Sequence, residues 1–166
     1  TRYWRDWSSD VCSSDLIISI MTRIWGPITW YMMHTLASKI NPTFYINNRE
    51  KMINIIKQIC QGLPCPICKA HATKYTKILH ARMVPTKHHL IEYLKQFHNQ
   101  VNSMSGKSTV HDVSKYEQFN IVKVFNSFLE LYTNRSYPGQ FIEGIKRRNV
   151  SKEIYLLLYY HPTMFQ

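Results

Sequence analysis

Apolar residues recur along the chain at three- and four-residue intervals. No stretch keeps a period-two alternation with hairpin turns, so the pattern predicts helices almost throughout. A first helix is expected from Pro27, where a first turn tolerates proline, to Ile40, with Trp30, Met33, His34, Ala37 and Ile40 on or near one face. Asn41-Pro42 stops it. A second is expected from about Asn48 to Gln61, striped by Met52, Ile55, Ile56 and Ile59, with Gly62 as its C-terminal break and Pro64 as a further stop. A third starts at Cys65 and Cys68 and runs to about Leu79, and a fourth runs from about Thr86 through Asn102 to a polar loop. Ser114 with Glu117 reads as a capping box ahead of a fifth helix, Lys115 to Thr133. Ser136 to Gln140 reads as a turn, and one or two aromatic-rich helices then reach His161-Pro162. The expected class is all-α, a bundle with a C-terminal helical appendix.

Length changes this picture little: 166 residues suit one domain with a real core. No apolar run approaches the length that spans a bilayer, and the N-terminal stretch has no apolar h-region of a secretory signal. Residues 1–16 resemble a translated sequencing adapter, and Met21 makes a plausible start, so residues 1–20 are set aside as a non-native or disordered leader. That removes Cys12, and it takes away two arginines and three aspartates, moving the formal charge from +11 to +12. Such a charge attracts polyanions or an acidic partner. The basic residues are nevertheless dispersed, Lys146 to Arg148 being the tight cluster, so no specific nucleic-acid binding is expected.

The chemistry concentrates in Gly62 to His71. Cys60, Cys65, Cys68 and His71 could be read as a zinc site, but all four fall within twelve residues and lack the usual second pair. A structural staple between Cys65 and Cys68 would close too short a loop to constrain the chain much. A redox pair suits the local physics better. Pro64 and Pro66 fix the chain where a helix begins, so the sulfurs sit at the positive end of the helix dipole, with Lys69 and His71 adding charge nearby. A thioredoxin-like frame would need a βαβ unit, which the pattern does not show. His71 reads otherwise as packing or helix-end charge, and Cys60 as a small buried hydrophobe.

Two further stretches complete a set. The first is Trp25-Gly26-Pro27 followed by Trp30 and, one helical turn on, His34; the second is His98-Asn99, Val101 and Asn102, with Lys107 five residues further. Together with Cys65 and Cys68, in this order and at these separations, they resemble the Erv/ALR family of FAD-dependent sulfhydryl oxidases. The phrase around the cysteines is most similar to the versions carried by large cytoplasmic DNA viruses, poxviruses and African swine fever virus among them. The resemblance covers roughly Arg23 to Tyr116.

The resemblance implies a four-helix bundle with a short fifth helix holding FAD, over residues 21–120, with 121–166 a helical extension of unassigned role. It implies that Cys68 faces the flavin and passes electrons to it through a charge-transfer contact. Cys65, the outer cysteine, would take the mixed disulfide from a substrate thiolate, and oxygen would receive the electrons and yield hydrogen peroxide. It places Trp25, Gly26, Pro27, Trp30, His34, Cys68, His98, Asn99, Val101, Asn102, Lys107 and Tyr116 around the cofactor and assigns no metal. The chemistry suits those residue types: an aromatic face from Trp30, hydrogen bonds from His34, His98 and Asn99, and a cation for the pyrophosphate from Lys107. Lys95 stands where many cellular members carry a cysteine of a structural disulfide, and no second, shuttle CxxC is present, so Cys65 would react directly with a partner's thiols. The implied partners are a thiol-bearing protein, such as a viral thioredoxin-like relay, and a second copy in a homodimer. The implied setting is the host cytoplasm, a viral factory or the virion, not secretion. The competing reading is a basic helical binding or scaffold module with a structural zinc or disulfide site and no catalysis.

Overall fold

A computed structural model describes residues 13–133 and 140–166, with side chains from residue 23 onward. Cys12 and most of the turn expected at Ser136 to Gln140 lie outside the described residues. Six α-helices are present among the described residues: α1 (Ser13–Lys39), α2 (Pro42–Gln61), α3 (Pro66–Thr76), α4 (Lys87–Met104), α5 (Ile121–Tyr132) and α6 (Phe141–Tyr160). Short 3-10 turns cover Ser114–Gln118 and Pro162–Phe165. No strand occurs among the described residues, and none of the helices is long and apolar enough to cross a membrane.

The helices form where the stripes predict, while several boundaries differ. Helix α1 begins far before Pro27, which lies inside it, and the helix runs through residues 13–20 of the stretch set aside as a leader. Asn41-Pro42 ends α1 and also starts α2: Pro42 occupies the first turn and Asn41 caps it, its side chain accepting from the amides of Thr43 and Phe44. Asn48, taken as the start of the second helix, marks a kink instead (φ −123, ψ 19), with its amide donating to Phe44 O at 2.9 Å. The capping box also fails. Ser114 makes no side-chain cap, its own amide being held by Asp112 Oδ1, and the chain tightens into a 3-10 turn that buries Tyr116. Asn120 is the true cap, accepting from Lys123 N at 3.0 Å, so α5 starts six residues later than the capping box suggests.

One apolar core joins every helix. Met32, Met33, Leu36 and Ile40 of α1 meet Met52, Ile56 and Ile59 of α2, Leu90, Leu94 and Phe97 of α4, and Phe125, Phe128 and Tyr132 of α5. Helix α1 packs on α4 and α5, while α2 packs on α3 and α6. Tyrosine hydroxyls tie the ends: Tyr45 donates to Val84 O at 2.7 Å, Tyr93 to Tyr75 O at 3.2 Å and Tyr132 to Ile59 O at 2.8 Å. The C-terminus returns to the start of α2, where Asn41 N donates to Met164 O at 2.7 Å and Phe44 packs on His161 and Phe165. A cavity opens where α1 and α4 face the start of α3, which carries the cysteine pair.

Candidate active site

Helix α3 begins at the cysteine pair because Cys65 is extended (φ −84, ψ 118) and Pro66 opens the first turn. Cys65 and Cys68 are disulfide-bonded, their Cα atoms 5.2 Å apart. The Cys65 sulfur caps the helix, accepting from Cys68 N at 3.2 Å. Upon reduction a thiolate in this place would meet the free amides and the positive end of the α3 dipole.

Beside the disulfide opens a cavity of about 920 Å³ between α1, α3, α4 and the 3-10 turn. Every residue expected around a cofactor lines it except His34 and Asn99. Cys68 faces it and Cys65 does not; Cys65 is only 5% exposed, so the sulfur expected to be outer and open to substrate is covered. The Lys69 charge expected near the thiols is instead paired with Glu143 of α6 at 3.1 Å.

One wall is a stack of rings. Trp30 lies flat on His98, centroids 4.1 Å apart and planes at 6°, and His34 lies on Tyr116 at 4.5 Å and 11°. The two pairs are joined by a hydrogen bond between His34 Nε2 and His98 Nδ1, 3.1 Å. His34 thus supports the wall from behind rather than lining it. Burial, then His98 and then Lys115, holds its pKa down to about 3. Burial, then Lys115 and then Lys107, holds His98 down to about 4. Both rings are neutral at pH 7, so one donates and the other accepts.

This has a pH consequence. The unfolded chain protonates its histidines near 6.5, the folded chain only near 4 and below, so between those values the unfolded state binds more protons. The contribution of the pair is full above about 6.5 and is lost as pH falls toward about 4. The urea midpoint is therefore expected to be lower at about pH 5 than at about pH 7, with a smaller drop in His34→Gln. Equal drops in parent and variant would show that the pair is not the cause.

Asn99 departs from its expected role. Its amide donates to Val110 O at 3.0 Å and its oxygen accepts from Val110 N at 2.6 Å, so it holds the loop after α4. Asn102 acts on the same loop, donating to Ser108 O at 2.9 Å and accepting Lys107 N on its carbonyl, while also reaching the cavity. Sequence reasoning missed Lys115, which lines the cavity with Lys107 and lies 5.1 Å from the centre of the Tyr116 ring. It also undervalued His71, which lines the cavity. The helical register of α3 could have signalled His71, one turn beyond Cys68; nothing local signals Lys115. Cys60 touches the cavity wall but is a buried free thiol whose pKa burial raises to about 12, which keeps it protonated. Among the described residues no group of three or more His, Cys, Asp or Glu is placed to hold a metal ion, and Lys95 pairs with Glu92 at 3.7 Å on the surface of α4.

A family model for Erv1 / Alr proteins matches residues 27–123, more than half of the chain and all of the cavity-forming segments from Pro27 on. The chain belongs to the Erv1 / Alr family. With membership come the enzyme class and cofactor that the sequence resemblance implied, a sulfhydryl oxidase working with FAD. Two viral relatives bear names of FAD-linked sulfhydryl oxidases. One, from Invertebrate iridescent virus 3, is 28% identical over 105 residues, 63% of this chain and 71% of its own. The other, from Invertebrate iridescent virus 6, is 34% identical over 93 residues, 51% of this chain and 82% of its own. No solved structure matches the chain.

The cavity suits this cofactor. Its volume is in the range of cofactor pockets, its apolar and aromatic walls match a flat ring system, and Lys107 and Lys115 supply cations for a pyrophosphate.

Proposed function

We propose that the chain forms disulfide bonds in a partner protein through Cys65–Cys68, with the cavity beside Cys68 as the FAD site. The observation that carries this reading is the juxtaposition of a helix-capping disulfide with a cavity that holds stacked rings and two lysines, Cys68 turned toward it.

A substrate thiolate attacks the Cys65 sulfur, which is 5% exposed and which the docking partner must first uncover; a mixed disulfide forms, Cys68 leaves as thiolate, and the positive end of the α3 dipole favours that charge. The partner's second thiol, once deprotonated, attacks its own sulfur in the mixed disulfide and releases Cys65, so the partner leaves oxidised and Cys65 and Cys68 are both reduced. FAD, when bound, would supply the two-electron acceptor that reoxidises the pair, with oxygen as the final acceptor and hydrogen peroxide as its product. Trp30, His98, Val101, Tyr116 and the Trp25-Gly26-Pro27 segment would hold its ring systems and Lys107 and Lys115 its pyrophosphate. Neutral His34 orients His98 through their hydrogen bond, and Asn99 acts on the flavin wall only through the loop it fixes.

A thioredoxin-like relay as the thiol partner, a homodimeric state and action in the host cytoplasm, a viral factory or the virion belong to the same proposal. The viral setting is supported by the viral relatives, and direct reaction with a partner's thiols by this sequence's carrying one CxxC. The division into residues 21–120 and an extension 121–166 is likewise proposed for the catalytic part, supported by a family match that ends at residue 123.

The test is the visible spectrum of the purified chain before and after a dithiol is added in air-free buffer. The flavin band is expected to bleach and to return, with peroxide, when air is admitted. A colourless protein that cannot be reconstituted with FAD would refute the reading and favour the non-catalytic helical module.

A further inference from the structure

The last turn of α2 runs directly into the disulfide, and side chains from beyond the family match hold its carbonyl groups. Tyr132 of α5 donates to Ile59 O at 2.8 Å. Arg147 of α6 is 2% exposed and donates through Nη1 to Gly62 O at 3.0 Å. The same nitrogen donates to Gln140 Oε1 at 3.0 Å, and Gln140 Nε2 donates in turn to Pro64 O. On the other side of the disulfide, Lys69 pairs with Glu143 at 3.1 Å. The start of α6 therefore grips residues 62, 64 and 69, flanking Cys65–Cys68 on both sides.

Gly62 is shaped to this grip. Its backbone (φ −94, ψ 1) is one that any residue adopts, so conformation does not call for glycine there. A Cβ would instead collide with the Tyr132 hydroxyl and come within 3.1 Å of Arg147 Cγ. Burying a guanidinium is costly unless its donors are used. An apolar side chain of similar length would fill the same space, so packing alone does not explain a cation here. What the guanidinium adds is a rigidly held nitrogen, Nη1, whose two bonds join the end of α2 to the residue leading into α6.

We propose that Arg147 is a positioning residue of the thiol oxidase, fixing through Gly62 and Gln140 the loop that presents Cys65–Cys68 at the cavity. The proposal rests on the reading of that disulfide as the reacting one. Exchange requires attacking and leaving sulfurs in line, so the orientation of the loop enters the rate directly. It also gives the C-terminal helix a task in the reaction, although no side chain of α6 lines the cavity.

The full chain loaded with FAD tests this, with Arg147→Met, Arg147→Lys and Gln140→Ala compared against the parent. Three quantities are read: flavin bound per chain, the rate of flavin bleaching by dithiothreitol in air-free buffer, and the dithiol–disulfide midpoint in glutathione buffers. Arg147→Met is expected to keep its flavin yet bleach more slowly per bound flavin by about tenfold or more, within the roughly 10²-fold that a misplacement of about 1 Å can cost. Its midpoint is expected to shift as well. Arg147→Lys should recover part of the rate, and Gln140→Ala, at a half-buried position, should show a smaller loss. An unchanged rate per bound flavin and unchanged midpoint in Arg147→Met, or a loss that only tracks lost flavin, would overturn the proposal. Should Arg147→Met fail to fold, Gln140→Ala decides, and a parental rate and midpoint there overturn it. A parent that does not bleach would overturn the reading of the disulfide itself and this inference with it.

Discussion

Cys68→Ser is expected to lower dithiol-driven oxygen consumption by about 10³-fold or more, the scale on which removal of a covalent catalyst acts, while the protein still purifies with FAD. Cys68 lines the cavity and is only half-buried, so exchanging sulfur for a hydroxyl opens no void in the core. What disappears is the disulfide itself: Cys65 is left as a lone thiol that offers a substrate thiolate no sulfur–sulfur bond to attack, so the pair can no longer cycle between dithiol and disulfide. Oxygen consumption with dithiothreitol and flavin absorbance per chain check the two halves. Turnover at the parental rate would refute the assignment of Cys68. Loss of flavin together with activity would place the residue in the binding wall instead of the relay.

Phe128→Ala is expected to destabilise the fold by about 3–5 kcal/mol, the usual cost of removing a buried aromatic ring. Phe128 is fully buried and stacks on Tyr132, ring centres 4.4 Å apart, on the face of α5 that packs against α1. Because a domain of this size is stable by only about 5–15 kcal/mol, the variant should unfold at a much lower urea concentration. The same helix supplies Tyr132 to the end of α2, so loss of flavin affinity should accompany the loss of stability. A change below about 1 kcal/mol would mean that α5 contributes little to the common core.

The helical class was legible because burial on a helix is periodic and local. Ile121, Phe125, Phe128 and Tyr132 repeat at helical spacing, and all four are buried in α5. Helix starts were less legible where several polar residues compete for one cap. Ser114 and Glu117 have the letters of a capping box, yet Tyr116 between them must reach His34, and the chain meets that demand with a 3-10 turn. Asn41-Pro42 shows the converse, since a single dipeptide both stops α1 and caps α2.

Within the site, the residues that the motif spacing picked out converge because α1, α3 and α4 each contribute one face to one cavity. Which of them touch that cavity was not a matter of spacing. Asn99 and Val101 are two residues apart on α4, and the Asn99 amide turns to the loop at Val110 while Val101 turns inward. Lys115 joins Lys107 only because the 3-10 turn packs on α1.

The amino-acid sequence by itself determined the all-helical class, the CxxC pair at a helix start and the family, since these follow from periodicity, local backbone restriction and short motifs. Tertiary structure alone decided that His34 and His98 are neutral, because desolvation depends on what covers a ring. It alone decided that Cys65 is buried while Cys68 faces the cavity. It also decided that Arg147, eighty-five residues from Gly62, closes the loop between them, because a hydrogen bond across that separation exists only once α6 lies against α2.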